Sequence, residues 1–245
     1  QGQVDYGKYQ DNALSETEKQ AGMALFCTAI PLTDVVIECR EVGAARDIPV
    51  KTMPCRVQKM EKIAHDVMIL HLKLPANERL QFLAGQYIDI LLKDGKRRSF
   101  SLANAPHDDE FLQLHIRHIP GGMFTDQVFN TMQEKAILRF EGPHGSFFLR
   151  EDSSKPVIFV AGGTGFAPIK SMLEHAFQSH CKREMVLYWG ARSLADLYMA
   201  DVPGRWQQEH ENFTFIPVLS EPGPDDRWPG RTGFVSWARS VREAV

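Results

Sequence analysis

The chain has 245 residues, 43% of them hydrophobic and 24% charged, with a formal net charge of −3. That length allows two modest domains or one large one, and the composition is ordinary for a globular protein. The slight acidity leaves no electrostatic footprint for nucleic acid, no apolar run is long enough to span a bilayer, and the polar start at Gln1 has no signal-peptide character. Cys27, Cys39, Cys55 and Cys181 are scattered without a CxxC pair, which fits a reducing cytoplasm better than a disulfide framework. Without an initiator Met, the chain is expected to be a fragment or processed piece.

In chain order, Ser15 and Glu18 stand at capping-box spacing, so a short helix is predicted there, with Gly22 placed to stop it. Residues 34–38 read as a strand. Residues 41–53, with Gly43 and Pro49 and followed by Pro54, read as a linker. From Cys55 to about residue 141 the signal is β. Leu112, Leu114 and Ile116 alternate with Gln113, His115 and Arg117, and residues 67–74 and 87–92 are further strand candidates, with Gly85 and Asp94-Gly95 as turns. Several short strands with glycine and proline punctuation predict a small antiparallel barrel, interrupted by one helix that starts after Gly121-Gly122 and runs through 126–130. Beyond Lys155 the pattern changes: strand over 157–160, helix over 168–176, strand over 185–188, helix over 194–199, strand over 213–218. That alternation predicts a parallel sheet with crossover helices.

Three strings carry chemistry. Arg97-Arg98-Ser99-Phe100-Ser101 sets a fixed cation, an aromatic face and a hydroxyl on one stretch, which suits a ring-bearing phosphate ligand. Gly162-Gly163-Thr164-Gly165-Phe166-Ala167-Pro168 follows an apolar strand and opens a helix, leaving backbone N–H groups to cradle a pyrophosphate. It is not the GxGxxG of the Rossmann dehydrogenases. Gly121-Gly122-Met123-Phe124-Thr125 is a second glycine turn before a helix, which alone is as readily a plain turn as a phosphate contact. No HExxH or other metal-ligand spacing appears among the nine histidines.

In this order the strings resemble the flavin and nicotinamide sites of the ferredoxin–NADP reductase superfamily, in particular the reductases of multicomponent oxygenases and the CDP-6-deoxy-glucoseen reductases. The resemblance implies an antiparallel FAD-binding β-barrel over 54–151 and a parallel α/β NAD(P)-binding domain over 152–245. It implies that Arg98 binds the FAD pyrophosphate, that Phe100 packs on the isoalloxazine where the family usually has Tyr, and that Ser101 is the catalytic residue beside flavin N5. His115, Ile116 and Arg117 would line the flavin, and Gly121, Gly122, Met123, Phe124 and Thr125 would form the second phosphate string. Gly162, Gly163, Thr164, Gly165, Ala167 and Pro168 would hold NADH or NADPH. Near the adenosine ribose, Asp196 would favour the 2′-hydroxyl of NAD and Arg192 the 2′-phosphate of NADP, with NADH expected.

Residues 1–40 resemble the C-terminal part of a plant-type [2Fe–2S] ferredoxin, a partial β-grasp fold, with Cys27 at the fourth cluster position. The other three ligands, as C-x4-C-x2-C, are absent, so Cys27 is a metal ligand only if they are supplied upstream, and the cluster is expected in the full-length parent rather than in this chain. The family's Cys-Gly-x-Pro string would follow Val245, so the NAD(P) domain is expected to be incomplete and the activity of this piece by itself is in question. The activity implied is transfer of electrons from NAD(P)H through FAD to a 2Fe–2S centre and on to a partner protein, an oxygenase component or a deoxysugar dehydrase, in the cytoplasm, with no nucleic acid or membrane involved. The alternatives are a free-flavin NAD(P)H reductase and a non-catalytic flavin-binding scaffold.

Overall fold

The computed structural model describes residues 2–10, 13–37 and 47–235 and divides the chain into two compact units, 1–43 and 44–245. In the first unit, Val4–Asp5 (β1) pairs antiparallel with Ile30–Pro31 (β2). Between them lies Glu16–Gln20 (α1), begun by the capping box expected from Ser15 and Glu18. The Glu18 N–H donates to Ser15 Oγ and the Ser15 N–H donates to Glu18 Oε2. The strand predicted over 34–38 does not form: 34–37 are irregular, and Glu38 lies outside the described residues. Pairing stops early because the Thr33 hydroxyl takes the Gln3 N–H that a longer ladder would use.

The second unit opens with a six-stranded antiparallel sheet. Its strands are Lys51–Lys62 (β3), Val67–Lys73 (β4), Tyr87–Leu91 (β5), Arg97–Ser101 (β6), Leu112–Arg117 (β7) and Ile137–His144 (β8), with Met123–Asn130 (α2) before the last. The order is β6-β5-β8-β3-β4-β7, and a bridge between Leu102 and Leu114 brings the two edges together, which removes the exposed ladder. Strand β3 begins at Lys51, opposite Gly142, so it takes in the end of the stretch read as linker; residues 41–46 of that stretch lie outside the described residues. Met53, Cys55 and Val57 point inward in alternation and meet Leu70, Ile88, Ile90, Leu114 and Phe140 in one core.

A parallel sheet follows, made of Val157–Gly162 (β9), Met185–Ala191 (β10), Phe213–Leu219 (β11) and Arg231–Thr232 (β12) in sequential order. Phe166–Gln178 (α3) and Asp201–Glu209 (α4) are the helices among its crossovers. The helix predicted over 194–199 is only a single 3₁₀ turn, Leu194–Asp196, and α4 lies beyond it. Pro203 and Gly204 disguise α4 in the sequence. Pro203 falls in the first turn, where its missing N–H costs nothing. Phe166 stacks on Trp189 at 4.0 Å, and these rings centre a second core with Leu173, Leu187 and Phe213.

Candidate active site

Between the barrel and the parallel sheet lies a cleft of about 440 Å³. One wall is the end of β6 (Arg98, Phe100, Ser101) with the start of α2; the other is the turn Gly163–Gly165 that opens α3. His115 and Arg117, alternate residues of β7, also line it.

The two arginines at the head of β6 have different fates. Arg97 is committed to Glu141, which raises its pKa and lowers that of the carboxyl. Arg98 has no carboxylate partner among the described residues; its Nη1 donates to the Arg97 carbonyl at 2.7 Å, and the rest of the fork is free for an anion. Phe100 is half-buried with its ring 5.4 Å from that of Phe124, so one face is backed by protein.

The first glycine turn is built by its own helix. Thr125 Oγ1 donates to the Ile119 carbonyl and accepts the Ile119 N–H, while Asp126 accepts from Gly121 N–H and pairs with His118 at 2.7 Å. Thr125 therefore shapes the loop with its hydroxyl rather than offering it to a ligand. A Cβ on Gly122 would lie 2.6 Å from Thr125 Oγ1 and 2.8 Å from the Ile119 carbonyl oxygen. Gly122 is the N-cap of α2 without a side-chain cap, so the first-turn N–H groups remain available to a phosphate. Ile116 points into the barrel core and can meet a ligand only through its backbone; Met123 is exposed and Phe124 buried.

The second glycine turn is held from a distance. Trp189 Nε1 donates to the Gly163 carbonyl at 2.9 Å. Gly163 has φ +50, and a Cβ there would lie 2.9 Å from Arg117 Nη1. Arg117 is braced by Asp66, Nε to Oδ2 at 3.2 Å. Gly162 and Gly165 face open space, and Ala167 and Pro168 form the buried first turn of α3. A phosphate-sized approach is thus left free on both walls, with a cation beside each, and these residues fit a flavin on the barrel side and a dinucleotide on the other.

Asp196, expected near the adenosine ribose, is turned onto its own segment. Its side chain is buried; Oδ2 accepts the Ser193 N–H and hydroxyl, both at 3.1 Å, and Oδ1 lies 4.0 Å from His65 of the barrel. It is the cap of its own 3₁₀ turn, a role its spacing from Ser193 allowed for. Arg192 is exposed, its Nε 3.6 Å from that carboxylate. His65, Asp66 and Asp196 form the one cluster of metal-ligand type among the described residues, but Arg117 and Arg192 already neutralise its two carboxylates. Cys27 is exposed with no such cluster around it among the described residues.

Sequence reasoning missed the groups that join the two walls. Ser171 donates to the Asn104 carbonyl at 2.7 Å, Lys170 to the Ala103 carbonyl at 3.2 Å and to Glu174 at 2.8 Å, and Tyr198 meets His115 at 3.0 Å. Burial drives the His115 pKa down to about 3, with Lys170 and His71 adding to the fall, so its ring is neutral. No sequence motif marks these residues, because each has meaning only opposite its partner.

A closed antiparallel barrel and a parallel α/β domain share one cleft, with a cation–aromatic–hydroxyl strand facing a glycine turn. That arrangement defines a flavin-dependent dinucleotide oxidoreductase. Residues 54–149 match the oxidoreductase FAD-binding domain family and residues 159–242 the oxidoreductase NAD-binding domain family. The CDP-6-deoxy-L-threo-D-glycero-4-hexulose-3-dehydrase reductase of Yersinia pestis is 39% identical over 237 residues, 97% of this chain and 70% of that protein. Terephthalate 1,2-dioxygenase reductase component 1 of Comamonas is 36% identical over 84% of this chain and 62% of its own length. The crystal structure of an Amycolatopsis cytochrome P450 reductase superposes with a TM-score of 0.73 at 34% identity, covering 99% of this chain and 73% of that one. The chain belongs to the ferredoxin–NADP reductase superfamily and is an FAD- and NAD-binding oxidoreductase. No helix of the described residues is long and apolar enough to cross a membrane.

Proposed function

We propose that this chain is the flavin and coenzyme module of an electron-transfer reductase whose partner is an oxygenase component or a deoxysugar dehydrase. A flavin held in the cleft would supply the chemistry that converts two-electron delivery from a nicotinamide into single-electron transfer. Arg98 and the start of α2 bind the flavin's phosphates, Phe100 supplies a ring face, and Ser101 sets a hydroxyl at the reacting edge. The turn Gly162–Gly165 with Ala167 and Pro168 holds the coenzyme, and Arg117 braces that turn. Exposed Arg192 would meet a 2′-phosphate in this reading. Units 54–151 and 152–245 are the two working domains of this reading, and Cys27 acts as a cluster ligand only alongside three others. The reading places the protein in the cytoplasm, in keeping with its free thiols.

The observation that carries this reading is the shared cleft, in which the Arg98–Ser101 wall and the Gly163–Gly165 turn face each other. The names of the relatives support the choice of partner class. Anaerobic titration of the FAD-loaded protein with NADH tests it: the flavin absorbance should bleach with one coenzyme per flavin. Flavin that binds but is not reduced by NADH or NADPH would favour the scaffold alternative.

A further inference from the structure

The groups buried between the two walls include one, expected from the sequence to line the flavin, to which the proposed function assigns no step. His115 is 5% exposed, lines the cleft, and its Nε2 is buried without a hydrogen-bond partner. Its other ring nitrogen, Nδ1, lies 3.0 Å from the Tyr198 hydroxyl, and the two rings meet edge to face at 5.6 Å. Burial raises the pKa of that phenol, so it keeps its proton. Among the described residues the Tyr198 hydroxyl has no hydrogen-bond partner besides His115 Nδ1. With the phenol as donor to Nδ1, the proton of the neutral imidazole sits on Nε2. The charged and titratable groups around the ring, Lys170 on α3, His71 on β4 and Arg117 beside Tyr198, disfavour a second proton or leave it neutral. A buried N–H donor without an acceptor is costly.

The place of that donor says what accepts. Leu102 bridges Leu114 in antiparallel fashion, which sets Ser101 and His115 side by side across neighbouring segments. Ser101 is the hydroxyl of the reacting edge in the proposed function. The partner of His115, Tyr198, comes from the coenzyme domain, as does the nearby Lys170. We propose that His115, locked in its Nε2–H tautomer by Tyr198, donates a hydrogen bond to an oxygen acceptor on the nicotinamide half of the coenzyme, and that it positions that half without holding the flavin. This rests on the reductase reading above. The lock also ties coenzyme binding to the closed arrangement of the two domains, since His115 and Tyr198 sit on opposite sides of their boundary.

The test uses the FAD-loaded chain and four forms: wild type, His115→Leu, His115→Gln and Tyr198→Phe. Flavin content, the dissociation constant of NADH under anaerobic conditions, and that of ADP, which lacks the nicotinamide half, are measured on each. ¹⁵N imidazole spectra of the wild type and Tyr198→Phe read the tautomer directly. His115→Leu should keep its flavin, bind NADH about tenfold more weakly and bind ADP unchanged, as loss of one net hydrogen bond implies. His115→Gln, which restores a donor of similar reach, should recover most of the NADH affinity. Tyr198→Phe should mix the tautomers and weaken NADH a few-fold. Loss of flavin from His115→Leu, equal weakening of NADH and ADP, unchanged NADH binding, or a wild-type spectrum with the proton on Nδ1 each overturns the inference. Failure of His115→Gln to recover affinity also overturns it, because a merely structural histidine predicts that result. A wild type that holds flavin but neither binds nor is reduced by NADH overturns the reductase reading itself.

Discussion

The two glycine turns of the cleft look alike in sequence and are built by opposite means. The turn before α2 is assembled locally: Thr125 and Asp126, within the first turn of the helix, bond back to Ile119 and Gly121. The turn before α3 has no such local scaffold. Its Gly163 carbonyl is held by Trp189 on the next strand, and its flank is filled by Arg117 of the barrel, itself braced by Asp66. A locally built turn needs only its own segment to be folded. A remotely built one exists only after both domains have formed and met, so the coenzyme wall depends on the barrel in a way the flavin wall does not depend on the α/β domain.

The largest expected effect attacks each turn at its glycine. Gly163→Val forces a β-branched residue to φ +50 against the Arg117 guanidinium, a strain of about 1–3 kcal/mol. NADH affinity should fall by up to two decades while flavin content stays near one per chain; flavin loss in this variant would mean that the turns are not separable. Gly122→Ala drives a Cβ against the Ile119 carbonyl and should do the reverse, lowering FAD affinity with little change in ADP binding.

Arg98→Ala sharpens the flavin side, since it removes charge-assisted bonds of roughly 1.5–3 kcal/mol each. Apoprotein titrated with FAD should bind at least tenfold more weakly. Arg97→Ala, whose cation is already spent on Glu141, should bind FAD as the wild type does. If the two variants behave alike, the distinction between these neighbours is wrong.

Acid should act on the boundary through His115. Burial holds its folded pKa near 3, whereas the unfolded imidazole titrates near 6.5. Between those values the unfolded chain binds more protons, so this residue lowers stability as pH falls, by up to about 1.4 kcal/mol per unit. Urea midpoints measured from pH 7 down to 4 should fall more steeply for the wild type than for His115→Leu, and parallel curves would contradict the burial.

The smallest effect separates Asp196 from Arg192. Asp196→Ala removes a cap and should cost about 1 kcal/mol of stability without altering the preference between NADH and NADPH. Arg192→Ala should weaken NADPH use more than NADH use and leave the melting temperature within about a degree, as an exposed partly screened pair implies. A coenzyme switch in the Asp196 variant would restore the ribose role that its burial argues against.

The sequence by itself determined the order of parts, because each is a local pattern. Period-two alternation in 112–117 gave β7, apolar runs gave β9 through β11, and Ser15 with Glu18 gave the first capping box. The strings Arg98–Ser101 and Gly162–Pro168 were legible as ligand walls for the same reason: glycine freedom, a free cation and a helix start are properties of a few adjacent residues. Local pattern also misled where a distant partner decided the outcome. The stretch 34–37 had strand composition, but the Thr33 hydroxyl takes the Gln3 N–H and the pairing ends before it. Asp196 was read from its local pattern as a ribose ligand, and the structure adds that its carboxylate is bonded to Ser193. Only the tertiary structure chose between Arg97 and Arg98, set Trp189 and Arg117 around Gly163, and closed Tyr198 on His115, since a hydrogen bond across 83 residues leaves no periodicity in the chain. Burial then fixed the charge of His115, because desolvation depends on what surrounds a ring in space and not on its neighbours along the backbone.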